Sequence, residues 1–151
     1  MTKWYDTYDA TYTTQVGNDF PHLRYADITL MYAEALAETD LPTALTWLNK
    51  TRIRAGLDEL TSDDVKTKAE FIRELAAERG REFALEGHRW FDLCRWGIAY
   101  EVMDKDNGSY GKNESAEARA EMASFVKGKH ELFPIPAEEI NLNPMEQNNG
   151  Y

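Results

Sequence analysis

The stretch from Glu86 to Gly97 constrains this chain more than any other. It sets Glu86, Arg89, Asp92 and Arg95 among Trp90, Phe91 and Trp96, with Gly87 and Gly97 at its break points. A charge carried into apolar surroundings without a partner costs on the order of several kcal/mol, so a run of this kind demands ion pairs. It reads as a packed helix junction held by those pairs.

The residues before it extend the same logic. Glu74, Glu78, Glu82 and Glu86 are spaced four apart, which lines them along one helix face with Arg79 and Arg81 alongside. Between Lys68 and Trp96 there are six basic residues (Lys68, Arg73, Arg79, Arg81, Arg89, Arg95) and six acidic ones (Glu70, Glu74, Glu78, Glu82, Glu86, Asp92). The chain as a whole carries a net charge of −10. Local balance inside an acidic chain points to side chains paired with one another. A carboxylate pair for glycoside hydrolysis is the functional alternative, but any acidic helix supplies such pairs.

The same net charge opposes nucleic-acid binding, which needs a basic face, and opposes adsorption to anionic lipid. With 151 residues, 42% hydrophobic and 29% charged, the chain has the composition of an ordinary globular protein of one domain. No apolar run approaches the ~20 residues of a membrane span. The start, Met1-Thr2-Lys3-Trp4-Tyr5-Asp6, shows no export-signal pattern. The single cysteine, Cys94, excludes an internal disulfide and a multi-cysteine zinc site, and reads as a small buried apolar residue.

Along the chain, residues 1–22 interleave Trp4, Tyr5, Tyr8 and Tyr12 with Thr and Asp, and read as a short strand or an extended arm. From residue 23 the period becomes helical. Ile28, Met31, Tyr32, Ala35 and Leu36 form the expected core-facing stripe of a first helix. Asp40-Leu41-Pro42 opens a second helix with Ala44, Leu45 and Leu48 inward, and Gly56 stops it. The pair makes a helical hairpin. A second hairpin is expected, capped at Thr61-Ser62-Asp63-Asp64, carried by Ile72, Leu75, Ala76, Phe83 and Ala84 up to Gly87, and returned through Trp90, Phe91, Leu93, Cys94 and Ile98. Gly80 weakens the first of these helices by about 1 kcal/mol relative to Ala, so packing must hold it. Residues 104–113 read as a turn-rich loop, and Ser115 to Val126 as a short polar helix. Residues 127–151 read as an extended strap. The prolines of Leu132-Phe133-Pro134-Ile135-Pro136 forbid helix there, Phe133 and Ile135 are the expected anchors, and Pro136 starts one turn over Ala137 to Ile140. The expected class is all-α, with TPR-like helical hairpins over residues 23–126 between the arm and the strap.

Catalytic patterns are missing. No Gly-x-Ser-x-Gly, phosphate loop or dinucleotide fingerprint occurs. His88 and Asp92 stand at i, i+4, yet neither a His-Glu-x-x-His nor a Glu-x-x-His pattern accompanies them, so a structural hydrogen-bonding role is expected for His88 and no metal or other cofactor is implied. Aromatic residues are the remaining asset. Trp4, Tyr5, Tyr8 and Tyr12 are the candidate sugar platform, because aromatic faces suit the C–H faces of sugars. Packing of the arm against the helices is the plainer use of the same four residues. Trp47, Trp90 and Trp96 sit at helical positions and are expected in the core.

Three separated segments resemble the C-terminal portion of the SusD/RagB family. The first runs Phe20-Pro21-His22-Leu23-Arg24-Tyr25-Ala26-Asp27, through Leu30-Met31-Tyr32-Ala33-Glu34-Ala35, to Ala44, Leu48-Asn49 and Arg52-Ile53-Arg54-Ala55-Gly56. The second is Glu78-Arg79, Glu82, Glu86-Gly87-His88-Arg89-Trp90-Phe91-Asp92-Leu93 and Arg95-Trp96-Gly97. The third is Leu132-Phe133-Pro134-Ile135-Pro136, Glu139-Ile140, Asn143-Pro144 and Gln147-Asn148 to Gly150-Tyr151.

That resemblance implies a non-enzymatic, α-helical part of a lipid-anchored protein on the outer face of the outer membrane. Such proteins capture glycans, or in some cases peptides, for a TonB-dependent transporter of the SusC kind. The family's lipoprotein signal, lipidation cysteine, N-terminal helices and central sugar-binding region have no counterpart here, so the chain is expected to be a piece of a longer protein or a truncated product. No family ligand residue carries over. The charged residues of the motifs (Arg24, Asp27, Glu34, Glu78, Arg79, Glu82, Glu86, His88, Arg89, Asp92 and Arg95) are expected to be structural. A TPR-like protein-interaction module is the second functional reading, and a glycoside hydrolase the remote third.

Overall fold

The computed structural model describes residues 21–106, 108–121 and 124–151. Most of the arm expected over residues 1–22 therefore lies outside the described residues. The described residues are helical and contain no strand. The chain divides at Gly87 into two compact units.

The first unit holds α1 (Tyr25–Leu36), α2 (Leu41–Arg54) and α3 (Lys68–Glu82). α1 and α2 pack as a hairpin, and α3 packs on both. The turn between α1 and α2 forms where the sequence places it. Asp40 caps α2 by accepting a hydrogen bond from the Thr43 N–H at 3.1 Å, and Pro42 stands in the first turn, where its missing N–H removes no helical bond. At the other end Gly56, at φ +76°, takes the left-handed position. Its N–H reaches the Ile53 carbonyl at 2.9 Å and the Leu57 N–H reaches Arg52 at 3.0 Å, a Schellman closure.

α3 starts later than expected. Thr61 and Asp64 close a turn of their own, with the Thr61 N–H and hydroxyl both donating to Asp64 Oδ2. The cap is instead Thr67, whose Oγ1 accepts from Glu70 N–H while the Glu70 carboxylate accepts from Thr67 N–H, a reciprocal capping box. α3 ends at Glu82, so Glu86 is not on the same helix as Glu74, Glu78 and Glu82.

Leu30, Leu48, Phe71 and Leu75 are fully buried, with Ala26, Ala33, Ala37, Ala44, Leu45, Val65 and Phe83 close behind. Each of the large ones contributes roughly 1.5–3 kcal/mol of burial. The face that α1 buries is Ala26, Asp27, Thr29, Leu30 and Ala33. Most of the stripe expected to face the core points outward: Ile28, Met31 and Tyr32 are all more than 40% exposed and Ala35 is exposed, while Leu36 is half-buried. Small residues won the inner face because they let the helices approach closely. Asn49, buried on α2, pairs with both backbone groups of Leu60, donating from Nδ2 to its carbonyl at 2.8 Å and accepting its N–H at 2.9 Å. That fixes the chain between α2 and α3.

The second unit holds α4 (His88–Arg95), α5 (Ala99–Met103), α6 (Ser109–Lys112), α7 (Ala116–Glu121) and α8 (Ala137–Leu142). Gly97, at φ +69°, ends α4 with the same closure as Gly56: its N–H reaches Cys94 at 3.0 Å, and Ile98 N–H reaches Leu93 at 3.0 Å. α6 lies within the stretch read as loop, and the helix expected from Ser115 to Val126 is the shorter α7. Residues 132–136 are non-helical, as their prolines require. Phe133, expected as an anchor, is 74% exposed. The segment is held through its backbone. Gln147 donates to Ile135 carbonyl at 2.9 Å and accepts Ile135 N–H at 2.8 Å. Asn148 Nδ2 bonds Phe133 carbonyl at 2.7 Å, and Tyr151 hydroxyl bonds Leu132 carbonyl at 3.0 Å.

Candidate functional site

The charged residues singled out in the first unit converge on Phe83. Arg24, the residue before α1, donates from Nε to Glu86 Oε2 at 2.8 Å and from Nη2 to Glu86 Oε1 at 2.9 Å. It also bonds the Glu82 carbonyl at 3.0 Å and pairs with Glu82 Oε1 at 2.7 Å. One guanidinium thus ties the start of α1 to the end of α3 and to the turn beyond it. Arg79 Nη1 pairs with Asp27 Oδ1 at 2.7 Å, with both side chains buried. The guanidinium carbons of Arg24 and Arg79 both lie 5.0 Å from the centre of the Phe83 ring, close enough for two cation–π contacts of roughly 0.5–2 kcal/mol each.

The network widens at α2. Arg54 pairs with Glu82. Buried Glu78 accepts from Arg81 Nη2 at 2.7 Å and lies 3.6 Å from Arg52 Nη1. The i, i+4 spacing foresaw the acids but not these partners. Arg24, Arg52 and Arg54 come from distant positions, whereas Phe83 follows Glu82 directly and was expected in the apolar stripe of this helix. The hint of these arginines was their presence in the same motifs.

Electrostatics favour the charged forms of Arg24 and Glu82. Burial alone would lower the Arg24 pKa, yet hydrogen bonds and charges from Glu86 and Glu82 overcome it and raise the pKa above its ordinary value. For Glu82, burial pushes upward, but hydrogen bonds from Arg54 and Arg24 win and hold the carboxyl below the usual carboxylate range. Leu85 makes the geometry possible. It sits at φ +66°, a left-handed backbone on an L-residue with a branched side chain, and is 78% exposed. That sharp turn brings Glu86 back, buried, to Arg24.

Of the remaining expected residues, Glu34 is half-buried on α1. In the second unit His88 opens α4 half-buried, Arg89 is exposed, and buried Asp92 accepts from Arg95 Nε at 3.0 Å. Trp47, Trp90 and Trp96, expected in the core, are half-buried. Trp47 meets Tyr32 edge-on at 5.0 Å, and the Lys50 ammonium lies 3.2 Å over its ring. Cys94 is half-buried rather than buried. Burial, and then the Glu131 charge, raise its pKa, and its sulfur lies 3.8 Å from the Glu131 carbonyl. Trp4, Tyr5, Tyr8 and Tyr12 lie outside the described residues. Among the described residues no group of three or more His, Cys, Asp or Glu side chains is arranged to hold a metal, and no helix is long and apolar enough to cross a membrane.

Among the described residues, Arg24, Asp27, Glu78, Arg79, Glu82, Glu86, Asp92 and Arg95 are engaged in ion pairs. The sequence matches the SusD family, SusD_RagB, over residues 1–151, and the chain belongs to that family of non-catalytic binding proteins. It is 32% identical to SusD-like protein P25 of Formosa agariphila over 136 residues, covering 85% of this chain and 24% of that protein. It is 31% identical to starch-binding protein SusD of Bacteroides thetaiotaomicron over 156 residues, covering all of this chain and 26% of that protein. A SusD-like protein of Bacteroides fragilis superposes with a TM-score of 0.74 at 29% identity, over 95% of this chain and 28% of the other. A SusD superfamily protein of Bacteroides vulgatus gives 0.66 at 32% identity, over 85% and 27%. The chain therefore spans about a quarter of the length of its relatives.

Proposed function

We propose that this chain is the C-terminal scaffold portion of a SusD-like protein that captures oligosaccharides for a TonB-dependent transporter on the outer face of the outer membrane. The observation that carries the reading is the closure of the charged motifs upon themselves. Arg24, Asp27, Arg79, Glu82 and Glu86, all within family-like motifs, are engaged with each other around Phe83. Groups committed in this way set geometry and are not presented to a sugar. In this reading α1 and α2 are one TPR-like pair, and residues 127–151 are a strap. Lipid anchoring and the transporter contact belong to the full-length protein. Starch-type α-glucans are the first ligands to try, because one relative is named for starch binding.

Native-gel retardation of the chain through soluble polysaccharides, amylopectin included, tests the reading. A scaffold portion migrates unretarded. If a glycan does retard it, Trp4, Tyr5, Tyr8 and Tyr12 are the residues to replace first. Asp27→Ala and Arg89→Ala should then lower the melting temperature. Retardation that Asp27→Ala abolishes while leaving the melting temperature unchanged would overturn the scaffold assignment.

A further inference from the structure

The chain contains two Asn-Gly pairs, Asn107-Gly108 and Asn149-Gly150. An asparagine followed by glycine can lose ammonia without an enzyme, because the next backbone nitrogen attacks the side-chain amide. Three conditions govern the reaction. The following residue must own an N–H, its side chain must leave the approach open, and that N–H must not be held in a hydrogen bond. Glycine meets the second condition best, and the fold decides the third.

The two pairs differ on that third condition. Gly108 is buried, and its N–H donates to the Asp104 carbonyl at 2.8 Å. Its surroundings are tight: a Cβ placed on it would lie 2.5 Å from the carbonyl oxygens of Asp104 and Val102. Asn149 and Gly150 are both exposed, in a turn that the Tyr151 N–H closes on the Asn148 carbonyl at 3.3 Å. Among the described residues no group accepts a bond from the Gly150 N–H or engages the Asn149 side chain. Other asparagines fail the conditions. Asn143 precedes Pro144, which has no N–H, and Asn49, Asn113 and Asn148 each donate their side-chain amide to a carbonyl.

We propose that Asn149 is a site of spontaneous deamidation selected by the fold, and that the same fold protects Asn107. The Gly150 nitrogen gives up its proton to solvent and attacks Asn149 Cγ. A C–N bond forms, the Cγ–Nδ2 bond breaks, and the departing nitrogen takes a proton from water to leave as ammonia. Water then opens the cyclic imide at either carbonyl. One opening gives aspartate, and the other gives isoaspartate, whose main chain runs through the side-chain carbon.

Both products place a carboxylate in a neutral turn, and isoaspartate also lengthens its backbone by one carbon. That turn positions Tyr151, whose hydroxyl bonds the Leu132 carbonyl at 3.0 Å and whose ring centre lies 4.5 Å from the Lys129 ammonium. Gly150 abuts the same lysine, since a Cβ there would lie 3.0 Å from Lys129 Cδ. The isoaspartyl form therefore releases Tyr151 from Leu132 and Lys129. Ammonia is lost for good, so the release accumulates with the age of the molecule. The site needs no ligand and stands apart from the glycan reading.

The test follows the full chain at mildly alkaline pH, which supplies the deprotonated nitrogen, in buffer and in concentrated urea. Peptide mass spectrometry reads the replacement of NH2 by OH at each asparagine, and fragmentation separates aspartate from isoaspartate. In buffer Asn149 should convert at close to its rate in urea. Asn107 should convert about tenfold more slowly in buffer than in urea, because the Gly108 N–H must first open. Asn149→Gln should abolish conversion at this position. In the isoaspartyl form, isolated by ion exchange, the Overhauser contacts between the Tyr151 ring and the Lys129 side chain should disappear. Equal rates at the two pairs in buffer, or an Asn149 slowed by folding as much as Asn107, would overturn the site. Contacts of Tyr151 unchanged in the isoaspartyl form would overturn the release.

Discussion

Arg24 holds Glu86 through two parallel hydrogen bonds across 62 positions of sequence, while Nη2 also bonds the Glu82 carbonyl and Nη1 pairs with the Glu82 side chain. The fork geometry of guanidinium matches a carboxylate in a way that an ammonium cannot. A single side chain therefore sets where the end of α3 meets the start of α1. The buried Asp27–Arg79 pair repeats the connection one turn further along both helices.

That buried pair gives the sharpest stability prediction. Removing one partner leaves an uncompensated charge in the interior, so Arg79→Ala or Asp27→Ala should cost about 3–5 kcal/mol in urea unfolding. The apolar double variant Asp27→Leu/Arg79→Met should be far less destabilised than the two single losses combined. A double variant as unstable as their sum would show that the pair does not act as a unit.

Glu82 should shape the acid limb of the stability curve. Its folded pKa lies below the unfolded value, so the stability it contributes is complete above the unfolded carboxylate range. That stability is lost as pH falls through the folded pKa. Asp40, Asp64 and Glu70 are lowered in the same direction by backbone and hydroxyl hydrogen bonds. Urea midpoints measured from pH 7 down to pH 2 should therefore fall, and Glu82→Gln should show a shallower fall from a lower start.

Leu85 should be improvable. The left-handed conformation costs an L-residue about 1–2 kcal/mol, and glycine returns roughly 0.5–1 of that as lost chain entropy. Because the side chain is mostly exposed, Leu85→Gly should raise stability by up to about 1 kcal/mol. Leu85→Ala, which keeps the strained backbone, should show no gain. Thermal melting of the pair decides between strain and an unrecognised contact of the leucine.

Gln147 should control one amide. It accepts the Ile135 N–H and donates to the Ile135 carbonyl, so Gln147→Leu leaves both without that partner. Hydrogen exchange at Ile135 should accelerate by an order of magnitude or more, since a lost hydrogen bond of about 1 kcal/mol or above is worth roughly that factor. Gln147→Glu should restore the acceptor but not the donor, giving partial protection.

Much of this was legible in the sequence where local rules govern. Asp40 with Pro42, Gly56 and Gly97 announce helix ends through groups only a few residues away, and the chain ends its helices at those points. Two local readings failed for local reasons. Thr61 and Thr67 both look like caps, and only Thr67 has a glutamate three residues on to complete the box. On α1, counting large apolar residues selected the outer face, because the inner face relies on alanines and on Asp27, which is acceptable there only with Arg79 beside it. The network around Phe83 was legible only as a set of residue types. Spacing showed that carboxylates and guanidiniums were present in balance, but pairings across more than fifty positions arise from packing.

The segment Leu132 to Pro136 illustrates how an extended stretch can be made unattractive to its own kind. An open strand recruits neighbours through spare donors and acceptors along its edge. Here Pro134 and Pro136 have no N–H to offer, and side chains of Gln147, Asn148 and Tyr151 have taken the carbonyls of Ile135, Phe133 and Leu132 and the Ile135 N–H. Despite the exposed Phe133, a second strand laid alongside would find its pairing positions already filled. Amide and hydroxyl side chains, rather than charges, thus occupy the backbone groups of this segment.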